Sequence, residues 1–169
     1  MADSAITKKA LANAIKKLIA DMPFKKISIS DICDECNMNR KSFYYHFRDK
    51  YDLVNWIFDT EFTSTTQSDD NENEIQKLCR YLYINRDFYR RAFRIEGQNS
   101  FRSHFYEIIK KYVCTKIQIS PTDPARDIKI SFYTDGLVCS IERWMLEHDD
   151  TSPDDFYHLL CSVNATHTK

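Results

Sequence analysis

Two helix starts stand at Ser28 and Asn39, with a residue suited to a left-handed turn between them. Ser28-Ile29-Ser30-Asp31 carries an N-cap serine with an acid three residues on, the pattern of a capping box. Ile27 and Ile32 occupy the N′ and N4 positions of a hydrophobic staple. Ile29, Ile32, Cys33 and Cys36 follow helical spacing, so this helix is expected to stop near Cys36, where Asn37 tolerates the conformation that turns the chain. Asn39 caps the next helix, with Met38 and Phe43 as its staple. Helix, short turn and helix fall within about twenty residues, the spacing of a helix-turn-helix.

The second of these helices carries an unusual set of side chains. Phe43 and Phe47 share one face at i, i+4 and read as core, which leaves Arg40, Lys41, Ser42, Tyr44, Tyr45 and His46 on the others. Arg and Lys at a helix start donate to guanine edges or phosphate, serine bonds either, and tyrosine hydroxyls donate to phosphate oxygens. Asp49 caps a further helix with Asp52 at N3, placing Lys50 beside free backbone amides where a phosphate could sit. Double-stranded DNA is the partner this chemistry fits.

Net charge is only −1, so the distribution decides. Residues 1–50 hold ten Lys/Arg and six Asp/Glu, a balance of +4, and the remainder holds fourteen and nineteen. The positive end carries the motif. A length of 169 residues, 43% of them hydrophobic, can bury a core, and two glycines with four prolines leave little room for a turn-rich β fold. No segment approaches the ~20 apolar residues of a membrane span, and no signal-peptide h-region opens the chain, so a cytoplasmic protein without membrane contact is expected.

Catalysis finds no support. His46, His104, His148, His158 and His167 lie apart without metal-ligand spacing, and neither a Gly-rich phosphate loop nor a nucleophile elbow is present. The six cysteines fall at apolar helical positions and read as core thiols. Cys33-x-x-Cys36 has a spacing that can bind zinc or cycle as a dithiol, but no second Cys/His pair accompanies it. Neither cofactor nor metal is expected, and the chain is not read as an enzyme.

Upstream, Ser4 is expected to cap a helix to about Asp21 with an apolar stripe of Ile6, Ala10, Leu11, Ala14, Ile15, Leu18 and Ile19, ended by Pro23. Lys8, Lys9, Lys16 and Lys17 read mainly as a solvated face, with Lys8 or Lys9 within reach of phosphate. A helix from Asp49 to about Thr66 follows the motif. Beyond the polar run Gln67 to Asn73, helices are expected over Glu74–Asn85, Asp87–Ile95 and Asn99–Gln118. Trp56, Phe62, Tyr81, Phe88, Phe93, Phe101 and Phe105 are candidates for lining a small-molecule cavity, with ordinary core packing as the alternative. Arg86, Arg90, Arg91 and Arg94 form a basic cluster, read as a solvated face rather than an anion site.

The pattern Ile29-Ser30-Asp31-Ile32, Met38, Ser42-Phe43-Tyr44-Tyr45-His46-Phe47, Lys50 and Leu53 resembles the N-terminal domain of TetR-type transcriptional regulators over roughly Ala5 to Phe58. The resemblance implies DNA contacts at Ser28 or Ile29, at Asn39, Arg40, Lys41 and Ser42, at Tyr44, Tyr45 and His46, and at Lys50. The family usually has glycine where this chain has Asn37, and often a small residue or threonine near Lys41, so base preference does not transfer. Phe88-Tyr89-Arg90-Arg91-Ala92-Phe93, Gly97-Gln98-Asn99-Ser100-Phe101, Gly136, Trp144 and Ser152-Pro153 resemble the C-terminal domain of the subgroup that includes the dihydroxyacetone-kinase operon activator. That likeness implies a regulatory domain; several members have no known ligand, and the named member works with a protein partner.

The last two helices are expected to start at Asp123-Pro124, running to about His148, and at Ser152-Pro153 with a second capping box. Gly136 and Ser140 allow close approach, and with Ile141, Trp144, Phe156, Leu159 and Leu160 they are the candidate dimer interface, a four-helix contact with two-fold symmetry that the resemblance implies. The expectation is an all-α chain of about nine helices. Residues 1–48 are its three-helix DNA-binding domain with the helix-turn-helix, and 49–169 a helical dimerisation and regulatory domain. Function is expected to be that of a homodimeric transcription regulator on a palindromic operator, a repressor controlled by a small ligand or partner. The alternatives are an activator controlled by a protein partner, or a protein-interaction module without DNA.

Overall fold

The computed structural model describes residues 2–66, 73–116, 120–147 and 150–165, and among these there is no strand. The described residues form nine α-helices: α1 (Ala2–Asp21), α2 (Ile29–Glu35), α3 (Arg40–His46), α4 (Lys50–Thr66), α5 (Glu74–Ile84), α6 (Arg86–Phe93), α7 (Phe101–Lys116), α8 (Arg126–Glu147) and α9 (Pro153–Ala165). A single 3₁₀ turn, Phe24–Lys26, follows α1. This is the all-α architecture that the helix punctuation predicts. All of the polar run but Asn73, and the expected helix ends at Gln118 and His148, lie outside the described residues.

Local chemistry sets the helix ends. Ser28 Oγ accepts from the Asp31 amide at 3.1 Å while Asp31 Oδ2 accepts from the Ser28 amide at 2.8 Å, closing the capping box. These bonds hold the Asp31 carboxyl below the usual carboxylate range. At the other end of α2, Asn37 has φ 53°, the Met38 amide donates to the Cys33 carbonyl at 2.8 Å, and the Asn37 amide donates to that of Asp34 at 3.2 Å. The three residues form a Schellman turn, with asparagine at the position glycine usually fills. Asn39 Oδ1 caps α3 on the Ser42 amide at 2.8 Å, and Asp49 Oδ1 caps α4 on the Asp52 amide at 2.8 Å.

Some boundaries differ from expectation. α1 begins at Ala2, ahead of the Ser4 cap, and its buried residues are Leu11, Ala12, Ala14, Ile15 and Ile19, with Ile6 exposed. α7 begins at Phe101 rather than Asn99, because Gly97 at φ 133° opens a turn in which the Ser100 amide bonds the Gly97 carbonyl at 3.2 Å. Before α8, Asp123 Oδ1 accepts from the Ala125 amide at 2.8 Å and its carbonyl from the Arg126 amide at 3.0 Å, so a turn intervenes before the regular helix.

The chain divides into two compact units, and the division does not follow the expected break after residue 48. α1 to α4 together with Asp87–Phe101 make one unit, and α5 with Arg102–Lys116, α8 and α9 make the other. In the first, Ile15, Ile32, Phe43, Phe47, Leu53, Ile57 and Phe58 are buried. α3 has seven residues, too few for a stable isolated helix. Burying Phe43 and Phe47 contributes about 2–3 kcal/mol each against about 1 kcal/mol for the Asn39 cap, so packing holds this helix.

In the second unit α5 packs on α9 and α8. Asp154 of α9 accepts from Arg80 Nη2 at 2.8 Å and Gln76 Nε2 at 3.1 Å, which holds its carboxyl below the usual range. Trp144 stacks against Phe156, ring centroids 4.4 Å apart, and donates Nε1–H to the Thr151 carbonyl at 3.1 Å.

The turn at Asn37 yields the first test. Asn37→Gly is expected to leave stability unchanged or slightly raised, whereas Asn37→Ala should lose about 1 kcal/mol through the left-handed backbone. Equal urea midpoints for the two variants would contradict this account of the turn.

Candidate nucleic-acid interface

With Phe43 and Phe47 turned inward, the opposite side of α3 carries Tyr44 and Tyr45, which are 52% and 82% exposed. Asn39, Lys41, Ser42, Tyr45 and His46 line a shallow concavity of about 320 Å³, completed by Thr7 of α1. The sequence reading missed Thr7. It lies more than thirty residues from Asn39, and only the packing of α1 on α3 brings it there.

The side chains of this face differ in their freedom. Asn39 Oδ1 accepts both the Ser42 amide at 2.8 Å and the Ser42 hydroxyl at 3.2 Å, so this pair is tied to the helix start. Arg40 lies over the Tyr44 ring at 6.0 Å, and the phenol, by hydrogen bond and charge, raises the guanidinium above its usual range. Tyr45 meets the His46 ring edge to face at 4.9 Å. Lys41 is exposed beside them. Ser28 is exposed with its hydroxyl in the capping box, and Ile29 is half-buried.

Lys50 stands differently from its neighbours. Its Nζ donates to the carbonyls of Phe24 and Ile27, both at 2.7 Å, and lies 4.5 Å from the centroid of the Phe24 ring. Burial pushes the ammonium below the usual lysine range, and Asp31 pulls it back up. The expected phosphate grip is thus turned inward, tying the first turn of α4 to the segment that leads into α2. The lysines of α1 are also drawn into the fold. Lys16 pairs with Glu61 at 2.6 Å, Lys17 pairs with Glu35, and Lys8 lies 5.6 Å from the Trp56 ring centroid. The solvated face expected for these lysines is in part a set of internal partners.

The candidate pocket aromatics divide between the units. In the first, Phe62 stacks on Phe58 at 5.4 Å, Phe101 meets Phe58 at 5.4 Å and Phe93 at 5.0 Å, Trp56 meets Phe47 at 5.5 Å, and Phe88 lies under the Lys16 ammonium. Tyr81 and Phe105 are buried in the second. The rings of the first unit make the edge and stacked contacts of a packed core.

The candidate dimer residues also separate. Ile141 is fully buried in its own unit, and Trp144 is almost so. Ser140, Trp144, Phe156, Leu159 and Leu160 border a groove of about 370 Å³, together with Arg143, Thr151 and Val163. Ile128 and Phe132 on α8 are 75% and 67% exposed, and Val163 on α9 is exposed as well. These three extend the apolar face and were absent from the candidate set. Gly136 shares the exposed side of α8, and no described atom would meet a Cβ there within 4 Å. A helix-interior glycine costs about 1 kcal/mol relative to alanine, and nothing within the described chain requires it.

Comparison with known proteins places this geometry in context. A family model described as bacterial regulatory proteins, tetR family, matches residues 11–57, and one described as a transcriptional regulator C-terminal region matches residues 69–164. The chain is 30% identical over 154 residues to the HTH-type dhaKLM operon transcriptional activator DhaS of Lactococcus lactis, covering 85% of this chain and 81% of that one. Among solved structures, a dihydroxyacetone kinase operon activator DhaS matches with a TM-score of 0.68 at 23% identity over 96% of each chain. A TetR transcriptional regulator from Streptococcus agalactiae matches with a TM-score of 0.68 at 17% identity, over 95% of this chain and 94% of that one. At such identities the two structures speak for the fold.

The inward seat of Lys50 is open to measurement. Lys50→Met retains an apolar stem over Phe24 but deprives two carbonyls of their donor, so unfolding in urea should show a loss of about 1 kcal/mol, held to that size by partial exposure. An unchanged midpoint would mean that the ammonium contributes nothing to the fold.

Proposed function

The chain belongs to the TetR family of DNA-binding transcription regulators, and from that premise we propose that it acts as a homodimer on a palindromic operator, reading bases with the outer face of α3. The observation that carries this reading is the exposed set of Lys41, Tyr44 and Tyr45 on a helix whose other side is fixed by Phe43 and Phe47. Arg40, Lys41 and Ser42, at the helix start, reach base edges; Tyr44, Tyr45 and His46, with Asn39, Ser28 and Ile29 at the helix entries, meet the sugar-phosphate backbone. Lys50 acts from beneath by holding α4 to the chain ahead of α2. Residues 1–48 then supply DNA contacts, while 49–169 supply dimerisation and control, although α4 and α6 share a compact unit with the reading helices.

The second copy seats on α8 and α9. Ile128, Phe132, Leu159 and Val163 present apolar surface, and Gly136 admits a close helix. Two-fold pairing sets the half-sites one DNA turn apart, roughly 34 Å. Control follows if a small ligand or protein partner binds one DNA-affinity state better than the other. Work on genomic DNA places the protein in the cytoplasm, and no described helix is long and apolar enough to cross a membrane.

The sign of regulation has two readings. A repressor blocks a promoter by occupying its operator. Activation with a protein partner is the second reading, favoured by one observation: the relative at 30% identity is named as an operon activator. A reporter fused to the adjacent promoter separates them, since deleting the regulator raises expression in the first case and abolishes it in the second.

Two measurements test the DNA and dimer assignments. With DNA from upstream of its own gene, Lys41→Ala should change the preference among operator base variants, while Lys50→Met weakens binding to all of them without changing the slope of log affinity against log salt. A reduced slope for Lys50→Met would return that residue to the phosphate-contacting role expected from sequence. In sedimentation, Phe132→Glu should convert the protein to monomer with its helix content intact; a persisting dimer would place the interface elsewhere.

A further inference from the structure

The first unit contains a cleft of about 390 Å³ that DNA reading and dimer formation leave unused. Its wall is apolar: Ile19 and Ile95 are buried there, and the rings of Phe24 and Tyr51 meet edge to face at 5.0 Å. Its lining also carries Lys25, Arg91 and Arg94 against a single acid, Glu96. Arg91 Nη1 donates to the Ile19 carbonyl at 3.0 Å, which fixes one guanidinium at the C-terminal end of α1. Lys25 and Glu96 approach to 3.6 Å, both side chains 84% exposed, so that pair is weak and exchangeable. Arg94 has no ion-pair partner among the described residues.

An apolar cavity of this size with a net positive lining suits a drug-sized molecule bearing one acid group. The cleft walls are joined to the DNA-reading helices. Phe24 supplies both a carbonyl and a ring to the Lys50 ammonium, and Tyr51, the next residue, points its hydroxyl to the Glu96 carbonyl at 3.5 Å. A molecule lodged between Phe24 and Ile95 therefore bears on the seat that holds the first turn of α4 to Ile27, one residue before the α2 cap.

The geometry points to an effector site: the cleft binds a small amphipathic anion, its carboxylate, sulfonate or phosphate on Arg94 and Arg91 and its apolar body against Ile19, Phe24 and Ile95. Occupancy shifts DNA affinity through the Phe24–Lys50 seat, a consequence that rests on the DNA-regulator reading, whereas the binding site itself does not. The whole path lies inside one compact unit.

The full chain, free of DNA, is titrated with 8-anilinonaphthalene-1-sulfonate and with its uncharged counterpart N-phenyl-1-naphthylamine, and binding is mapped by amide chemical shifts. The sulfonate should move Lys25, Tyr51, Glu96 and Gly97, and Arg94→Gln should weaken it about tenfold while leaving the uncharged probe unaffected. Absence of binding, shifts confined to Leu159 and Val163, or a sulfonate affinity indifferent to Arg94→Gln would each overturn the site. With operator DNA, the sulfonate should change affinity for wild type at concentrations about tenfold lower than for Arg94→Gln. A bound sulfonate with unchanged DNA affinity would overturn the coupling, and failure to bind any operator would count against the regulator reading while the titration still decides the cleft.

Discussion

A helix of seven residues has no stability of its own in water, yet the proposed reading surface of this protein is built on one. What holds α3 in place is the burial of Phe43 and Phe47, one turn apart, whose rings lie 5.8 Å from each other. Every exposed group on the helix takes its direction from those two anchors, because a rotation that turned Lys41 or Tyr45 inward would bring a phenylalanine into water. The caps at Ser28, Asn39 and Asp49 contribute less energy but set the register in which the anchors meet their site. Packing supplies the stability and capping supplies the phase.

Positive charge in the first unit is divided between holding the fold and facing outward. Lys8, Lys16 and Lys50 are occupied by rings, a carboxylate and backbone carbonyls. Lys41 is exposed on the outer face of α3. A count of basic residues cannot make this distinction, since Lys41 and Lys50 look alike in composition and stand nine positions apart in one motif. The difference arises from the 3₁₀ turn at Phe24–Lys26, which presents its carbonyls to whatever occupies the start of α4.

A similar division runs through the second unit. Periodicity groups Trp144 and Ile141 with Leu159, since all lie on apolar helical positions, but α8 has two apolar faces. One is buried against its own unit, where Trp144 stacks between Tyr83 and Phe156. The other shows Ile128 and Phe132 to solvent. Periodicity marks a residue as apolar and places it on a face; it does not say whether the same chain or a second copy covers that face.

The order of helices, the capping box at Ser28, the asparagine turn at residue 37 and the inward pair Phe43 and Phe47 were all determined by sequence. Each depends on groups within one or two helical turns of one another, where spacing alone fixes who meets whom. Tertiary structure decided that Thr7 borders the outer face of α3, that Lys50 points inward, that α6 shares a unit with α1 to α4, and that Arg91 and Arg94 edge an apolar cleft. Those arrangements join segments 20 to 90 residues apart. Their partners are chosen by the packing of whole helices, which no local pattern encodes.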